Sequence, residues 1–195
     1  MMRNMLTRRQ FLSGLGILFG LGTGGWGAIE AKRRTPIQLR PPGARSENDF
    51  LAACIRCGLC VQVCPYHTLK LADATQFAAL GTPFVRARET PCYLCKGFAE
   101  LKCIAVCPTP ALEPVKSLRD IRMGIAEINR ETCLAWLGTS CRACWHACPL
   151  PNEAIVLDEL GRALVDEKVC IGCGLCDYAC VTEPGSIIVT PRGNA

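Results

Sequence analysis

The residues of this chain that could do chemistry are its cysteines. There are sixteen, and they fall into four runs of four with none left over. The first run is Cys54, Cys57, Cys60 and Cys64, and the second is Cys92, Cys95, Cys103 and Cys107. The third is Cys133, Cys141, Cys144 and Cys148, and the fourth is Cys170, Cys173, Cys176 and Cys180. Proline follows the first three runs (Pro65, Pro108, Pro149), whereas Val181 follows the fourth. The first and fourth runs carry the C-x2-C-x2-C-x3-C spacing that holds [4Fe-4S] clusters. The pattern therefore predicts four [4Fe-4S] clusters and one-electron chemistry, with all sixteen cysteines as iron ligands.

Two other uses of cysteine fit less well. Disulfide frameworks scatter their cysteines among loops, but these stand three or four apart in tight runs. Zinc ribbons use separated C-x2-C pairs, and four cysteines within eleven residues are unusual for them. His67 and His146 are the only histidines. A Rieske-type centre needs two histidines in place of cysteines, and no cysteine is missing, so both are expected to be non-ligands.

The grouping of ligands follows from how two-cluster ferredoxins are built. There the fourth cysteine of each run ligates the other run's cluster. Three closely spaced cysteines wrap one cube from a loop. The fourth is expected at the start of a helix, pointing away, with the proline after it fixing φ at the first helical position. Pairing adjacent runs gives Cys54, Cys57, Cys60 with Cys107, and Cys92, Cys95, Cys103 with Cys64. It also gives Cys133, Cys141, Cys144 with Cys180, and Cys170, Cys173, Cys176 with Cys148. A nested pairing, first run with fourth and second with third, is the alternative. It draws on the seven-residue spacers that both middle runs carry, Cys95 to Cys103 and Cys133 to Cys141.

The elements that must position these ligands are short. Cys54-Ile55-Arg56-Cys57-Gly58-Leu59-Cys60 nearly repeats as Cys170-Ile171-Gly172-Cys173-Gly174-Leu175-Cys176, an internal duplication at the motif level. Ala154–Asp158 and Ala163–Asp166, joined by a turn at Glu159-Leu160-Gly161, predict a β-hairpin. Ser186–Thr190 predicts a further strand able to pair with Gly124–Asn129. Ser117 is placed to cap a short helix. The fold class is α+β: two tandem bacterial dicluster ferredoxin-like units, small, loop-rich and organised by iron–sulfur clusters. Residues 50–116 form the first unit and 117–195 the second.

With aromatic residues at only 6% of 195, an ordinary apolar core is not expected, and metal–thiolate bonds must supply much of the folding energy. The formal charge of +5 misleads. Four oxidised clusters with their thiolates would add roughly −8, so the charge balance gives no reason to expect a nucleic-acid partner.

Residues 1–31 look like an export signal or tether. Arg8-Arg9 leads into Phe11-Leu12, and no charge occurs from Phe11 to Ile29, a stretch with seven glycines. That is the weakly hydrophobic character of a twin-arginine signal rather than of a strong membrane anchor. Such a route carries folded, cofactor-loaded protein, which clusters assembled in a reducing cytoplasm require. The chain is therefore expected in the periplasm, with peripheral membrane association. Residues 32–49, rich in arginine and proline, are expected to be an extended linker, either a solvated spacer or a basic segment facing acidic lipid heads.

Several residues are candidates for tuning the centres. Backbone amides around Gly58, Gly174 and Ala143 are placed to donate to cluster sulfurs. Arg56, Lys96, Lys102 and Arg142 lie inside the runs and would raise local potentials unless merely solvated. Trp136 and Trp145 are candidates to shield a cluster, or simple packing residues. No nucleophile–base constellation, nucleotide loop or open metal site is present, so the chain is not expected to be an enzyme.

Further residues carry a resemblance. Arg8-Arg9, Arg40-Pro41-Pro42-Gly43-Ala44, Cys64-Pro65-Tyr66 with Thr68-Leu69-Lys70, Gly81-Thr82-Pro83 and the Cys-x7-Cys opening of the third run resemble the MauM/NapG family. The likeness spans roughly residues 5–190. It implies a periplasmic ferredoxin-type protein with four [4Fe-4S] clusters. For NapG-type members it implies a relay from a membrane-embedded, quinol-oxidising iron–sulfur protein toward a c-type cytochrome and a periplasmic nitrate reductase. For MauM-type members it implies an accessory or maturation role in methylamine utilisation.

Overall fold

A computed structural model describes residues 37–192 of the chain. The expected signal at 1–31 and the start of the linker at 32–36 lie outside the described residues. Helix α1 spans Glu47–Ala53; Ser46 caps it by accepting from Asp49 N, and Glu47 and Asp49 sit in its acidic first turn. Helix α2 is Leu59–Val63, α3 Lys102–Ala105, α4 Ala143–Ala147 and α5 Leu175–Ala179. Strands β1 (Leu69–Leu71) and β2 (Pro83–Val85) pair antiparallel, with a 3-10 segment at Ala74–Ala79 between them. Strands β4 (Ile155–Leu157) and β5 (Ala163–Val165) form the expected hairpin. β3 (Gly124–Ile128) pairs antiparallel with β6 (Ile187–Pro191). A 3-10 turn at Leu118–Asp120 carries the expected Ser117 cap as a capping box with Asp120.

The four helices α2 to α5 share one design. Each has the third cysteine of its run at its second position, and each ends just before the fourth: Cys64, Cys148 and Cys180 are C-caps in extended conformation, and Cys107 lies one residue past the C-cap Val106. The fourth cysteine thus closes a helix instead of opening one, contrary to the sequence expectation. A residue before proline is driven out of the helical region, so Pro65, Pro108 and Pro149 stop the helix at the preceding cysteine. Cys180 adopts the same conformation (φ −65°, ψ 127°) without a proline.

The two halves repeat one another. A hairpin lies between the runs of each half, β1–β2 in the first and β4–β5 in the second. An outer strand pair flanks the second half, β3 before its runs and β6 after them. In the first half that pair shrinks to a single bridge, Ala44 with Leu112, reinforced by Glu113 N donating to Gly43 O at 2.7 Å. Residues 37–49 therefore differ from the expected linker. Leu39, Arg40, Pro41 and Pro42 are buried, and Val85 N donates to Leu39 O at 2.8 Å.

Arg40 explains how a basic, proline-rich segment packs inside. Its guanidinium forks onto Glu47 at 2.5 and 2.8 Å, donates to Thr82 Oγ1 and Pro83 O at 2.9 and 2.8 Å, and lies 4.8 Å over the Phe50 ring. Buried charge is tolerable when paired and hydrogen-bonded in this way.

One apolar core runs through both halves, from Leu39, Phe50 and Leu112 to Ile121, Ile155 and Ile187, with cysteines of all the runs in or against it. The fold is the expected α+β, ferredoxin-like one, and its two halves pack together within one compact unit. Phe50, Ile121 and Ile155 are the largest side chains in the fully buried set, and small residues and prolines fill much of the rest. A core so thin suits a fold that depends on metal.

The halves are joined by polar contacts. Cys92 N donates to Cys173 O at 2.8 Å. Arg88 reaches from the first half to the carbonyls of Asp177, Cys180 and Thr182 at 2.6 to 2.8 Å and to Glu183 at 2.9 Å. Gly174 sits at φ +86°, and a Cβ there would lie 2.5 Å from Ala87 Cβ, so only glycine permits this approach.

Two substitutions test this packing in the cluster-loaded protein. Arg40→Ala is expected to lower stability by about 3–5 kcal/mol in chemical unfolding, whereas Arg45→Ala, which breaks only an exposed pair with Glu113, should cost less than about 1 kcal/mol. Arg88→Ala should cost about 1–3 kcal/mol by leaving carbonyls without their donor, and Arg88→Lys should restore only part, because an ammonium lacks the planar fork.

Candidate iron–sulfur centres

Four cavities gather the sixteen cysteines into four sets. Cys54, Cys57, Cys60 and Cys107 line the first, of about 370 Å³. Cys64, Cys92, Cys95 and Cys103 line the second, of about 350 Å³. Cys133, Cys141, Cys144 and Cys180 line the third, of about 390 Å³. Cys148, Cys170, Cys173 and Cys176 line the fourth, of about 320 Å³. Each set takes three cysteines from one run and the fourth cysteine of the adjacent run. None of the four mixes the first run with the fourth or the second with the third, as nesting would require. The remaining walls are largely apolar, for example Phe50 and Leu112 in the first cavity and Ile155, Ile171 and Val189 in the fourth.

The split within a run has a simple geometric cause. In every run the third and fourth cysteines are four residues apart. On a continuous helix that spacing puts two side chains on one face. Here the helix stops before the fourth cysteine, so its sulfur turns to the neighbouring cavity. Gly58 and Gly174, both at positive φ, begin α2 and α5 and let the preceding loop fold back over the cavity.

The electrostatics follow the same grouping. Burial pushes the Cys60 thiol up to about 11, helped by Cys54, Cys57 and Cys107 of its own cavity. Burial likewise pushes Cys103 up to about 12, Cys144 to about 11 and Cys173 to about 12. Cys92, Cys148 and Cys176 are raised by the same cause. Some couplings cross between cavities: Cys60 with Cys103, Cys92 with Cys173, and Cys176 with Cys144. The backbone hydrogen bond from Cys92 N to Cys173 O likewise joins the second cavity to the fourth. Free thiols held this high are protonated at neutral pH, so any metal that binds must displace their protons.

Cys180 is the exception. Burial alone would raise it, but hydrogen bonds from the Thr182 hydroxyl and from the amides of Thr182, Ser186 and Ile187 together hold it below the usual thiol value. Thr182 Oγ1 lies 3.2 Å from its sulfur, and Ser186 N donates to it at 3.3 Å. Thr109 stands in the equivalent place beside Cys107, with its carbonyl 3.2 Å from that sulfur. Sequence reasoning passed over these threonines. The available signal was a threonine two residues after the last cysteine of runs two and four.

Amides facing the sulfurs come from Val61, Leu94, Ile104, Trp145, Leu150 and Leu175, one or two residues after a cysteine. Leu175 and Trp145 fall beside the expected Gly174 and Ala143. Such donors stabilise negative charge on a sulfur-ligated centre. Arg56 lines the first cavity. Lys102 instead pairs with Glu100 and lies over Phe98. His67, His146, Trp136, Trp145, Lys96 and Arg142 are not among the lining residues of the four cavities. Trp136 is held between Arg130 and Arg162, while Trp145 donates to Asn152.

These walls fit a cubane better than a single ion. All sixteen cysteines are free thiols, so none is committed to a disulfide. A tetrahedral zinc needs its sulfurs about 2.3 Å from one point. Among the described residues no three cysteine, histidine, aspartate or glutamate side chains converge in that way. A cluster with an iron at each corner takes its thiolates from spread positions around a larger volume.

A 4Fe-4S dicluster domain family matches residues 53–111, the stretch that holds the first two cavities' cysteine runs. The methylamine utilization ferredoxin-type protein MauM of Methylorubrum extorquens is 42% identical over 97% of this chain and 89% of its own length. MauM of Paracoccus denitrificans is also 42% identical, over 97% of this chain and 90% of its own. The ferredoxin-type protein NapG of Escherichia coli is 38% identical over 97% of this chain and 84% of its own. Likeness at this level over nearly the whole length, joined to the dicluster match and the cysteine-walled cavities, makes the chain an iron–sulfur protein of the MauM/NapG family of ferredoxin-type proteins.

Proposed function

We propose that the chain is an exported electron carrier holding four [4Fe-4S] clusters, one in each cysteine-lined cavity. It would relay electrons between a membrane-embedded, quinol-oxidising iron–sulfur partner and a periplasmic redox enzyme, through a c-type cytochrome or directly. The observation that carries this reading is the division of all sixteen cysteines into four sets of four, each around its own cavity. A [4Fe-4S] cluster supplies one-electron transfer with little structural change. The protein's own residues do the rest. The cysteines hold the metal, the apolar walls limit water, and the amides and the Thr182 and Ser186 donors bias the charge at individual sulfurs. The contact of Cys92 with Cys173 brings the two halves' cavities into one series.

The twin-arginine start supports export of the folded, loaded protein, since periplasmic assembly would expose free thiols to oxidation. The resemblance to NapG-type members implies a periplasmic nitrate reductase as the enzyme served, and the 38% identity to the ferredoxin-type protein NapG supports that resemblance. A second reading is favoured by the MauM relatives at 42% identity: an accessory or maturation ferredoxin for a periplasmic enzyme such as methylamine dehydrogenase.

Anaerobic iron and sulfide analysis should give about 16 iron atoms per chain, and a value near four with zinc dominant would refute the cofactor assignment. In membranes containing the natural partners, adding quinol should bring up the paramagnetic signal of reduced clusters. Clusters that stay oxidised there would reject the relay and leave the maturation reading. Arg8→Lys with Arg9→Lys should trap loaded protein in the cytoplasm, and undiminished export would exclude the twin-arginine route.

A further inference from the structure

A fifth cavity has no cysteine and a different chemistry. It measures about 620 Å³ and is lined by Ile37, Gln38, Ala44, Ser46 and Met123, with Arg40, Arg45, Arg122, Arg192 and Glu47. Four arginines therefore line it beside one glutamate. They come from three separate parts of the chain: the segment before α1, the residues just before β3, and the end of β6.

The arginines are not equally committed. Arg40 is engaged by Glu47, Thr82 and Pro83. Arg45 makes one exposed contact, Nε to Glu113 at 3.4 Å. Arg122 uses Nη1 on the carbonyls of Arg119 and Ile121. Arg192 uses Nη2 on the carbonyls of Glu167 and Cys170, at 2.6 and 3.0 Å. Its Nε is buried and has no hydrogen-bond partner. That nitrogen has no surface open to the cavity, but carbonyls on Arg192 and Arg122 hold both side chains in place, so their other guanidinium nitrogens are preorganised to receive an acceptor.

We propose that this cavity binds a phosphate-type oxyanion. Guanidinium groups match the planar, multiply accepting edge of phosphate and carry full charge at any physiological pH. With Arg40 bound to Glu47 and Arg45 paired loosely with Glu113, Arg122 and Arg192 remain to neutralise a dianion, and Arg45 adds a third guanidinium at the rim. A lipid phosphate at a membrane surface and free inorganic phosphate offer the same chemistry, and the test separates them.

The test uses the full-length, cluster-loaded protein under anaerobic conditions. Inorganic phosphate is titrated by calorimetry, with phosphorus NMR as a second readout. The variants are Arg192→Gln and the double change Arg45→Gln, Arg122→Gln. The double variant alters only exposed side chains and keeps the test informative if Arg192→Gln fails to load iron. Phosphate should bind the unaltered protein, and each variant with full iron content should bind at least about tenfold more weakly. Sedimentation with neutral phosphatidylcholine vesicles and with vesicles containing phosphatidylglycerol then identifies the source. Extra binding to the anionic vesicles that the variants lose supports a headgroup as the natural ligand. Phosphate binding without that difference supports a soluble oxyanion. No phosphate binding, or equal binding by the double variant, overturns the proposal.

Discussion

The structure depends on one geometric constraint: in each run the third and fourth cysteines are four residues apart and must serve different cavities. A continuous helix would hold both sulfurs on one face. The chain resolves this with helices of four or five residues that end at or next to the fourth cysteine. Proline enforces the stop in three runs. In the fourth, Thr182, Ser186 and Arg88 hold the Cys180 segment from outside. Because each run's last cysteine lines its neighbour's cavity, neither run of a pair walls its cavity alone.

The remaining architecture supports that exchange. A hairpin links the runs of each half, and an outer strand pair closes it. In the first half the outer pair is reduced to Ala44 and Leu112, and Arg40 fixes the segment that provides it. The halves then meet through backbone and arginine contacts, with the second and fourth cavities on either side of the Cys92–Cys173 bond. The apolar core is shared and thin, so metal–thiolate bonds remain the main source of order. On the proposed assignment, electron transfer and folding rest on the same sixteen side chains.

Much of this was legible in the sequence. Cysteine spacing expresses ligand geometry directly, and the strands of the second half carry clear turn and β-branched signals. Asp158 illustrates why the β4–β5 hairpin was readable: its carboxylate accepts the amides of Leu160 and Arg162 and defines the turn that Gly161 completes. The β1–β2 hairpin was not readable. Its strands have three residues each, one contains Pro83, and a 3-10 segment replaces a short turn. Residues 37–49 were misleading because proline and arginine ordinarily signal a solvated linker. Only the tertiary meeting of Arg40 with Glu47, Thr82 and Phe50 makes burial favourable. The position of the fourth cysteine at a helix end was also missed. The rule for residues before proline was available, but it competed with the preference for proline at a helix start.

Crossed ligation between adjacent runs is the central claim, and paired cysteine substitutions address it most directly. Cys107→Ala, Cys57→Ala and Cys95→Ala would each be prepared anaerobically and compared by low-temperature EPR of the reduced protein. The structure predicts that Cys107→Ala and Cys57→Ala perturb the same spectral component, because both line the first cavity, and that Cys95→Ala perturbs another. If Cys107→Ala instead matches Cys95→Ala, each run serves its own centre and the account is wrong.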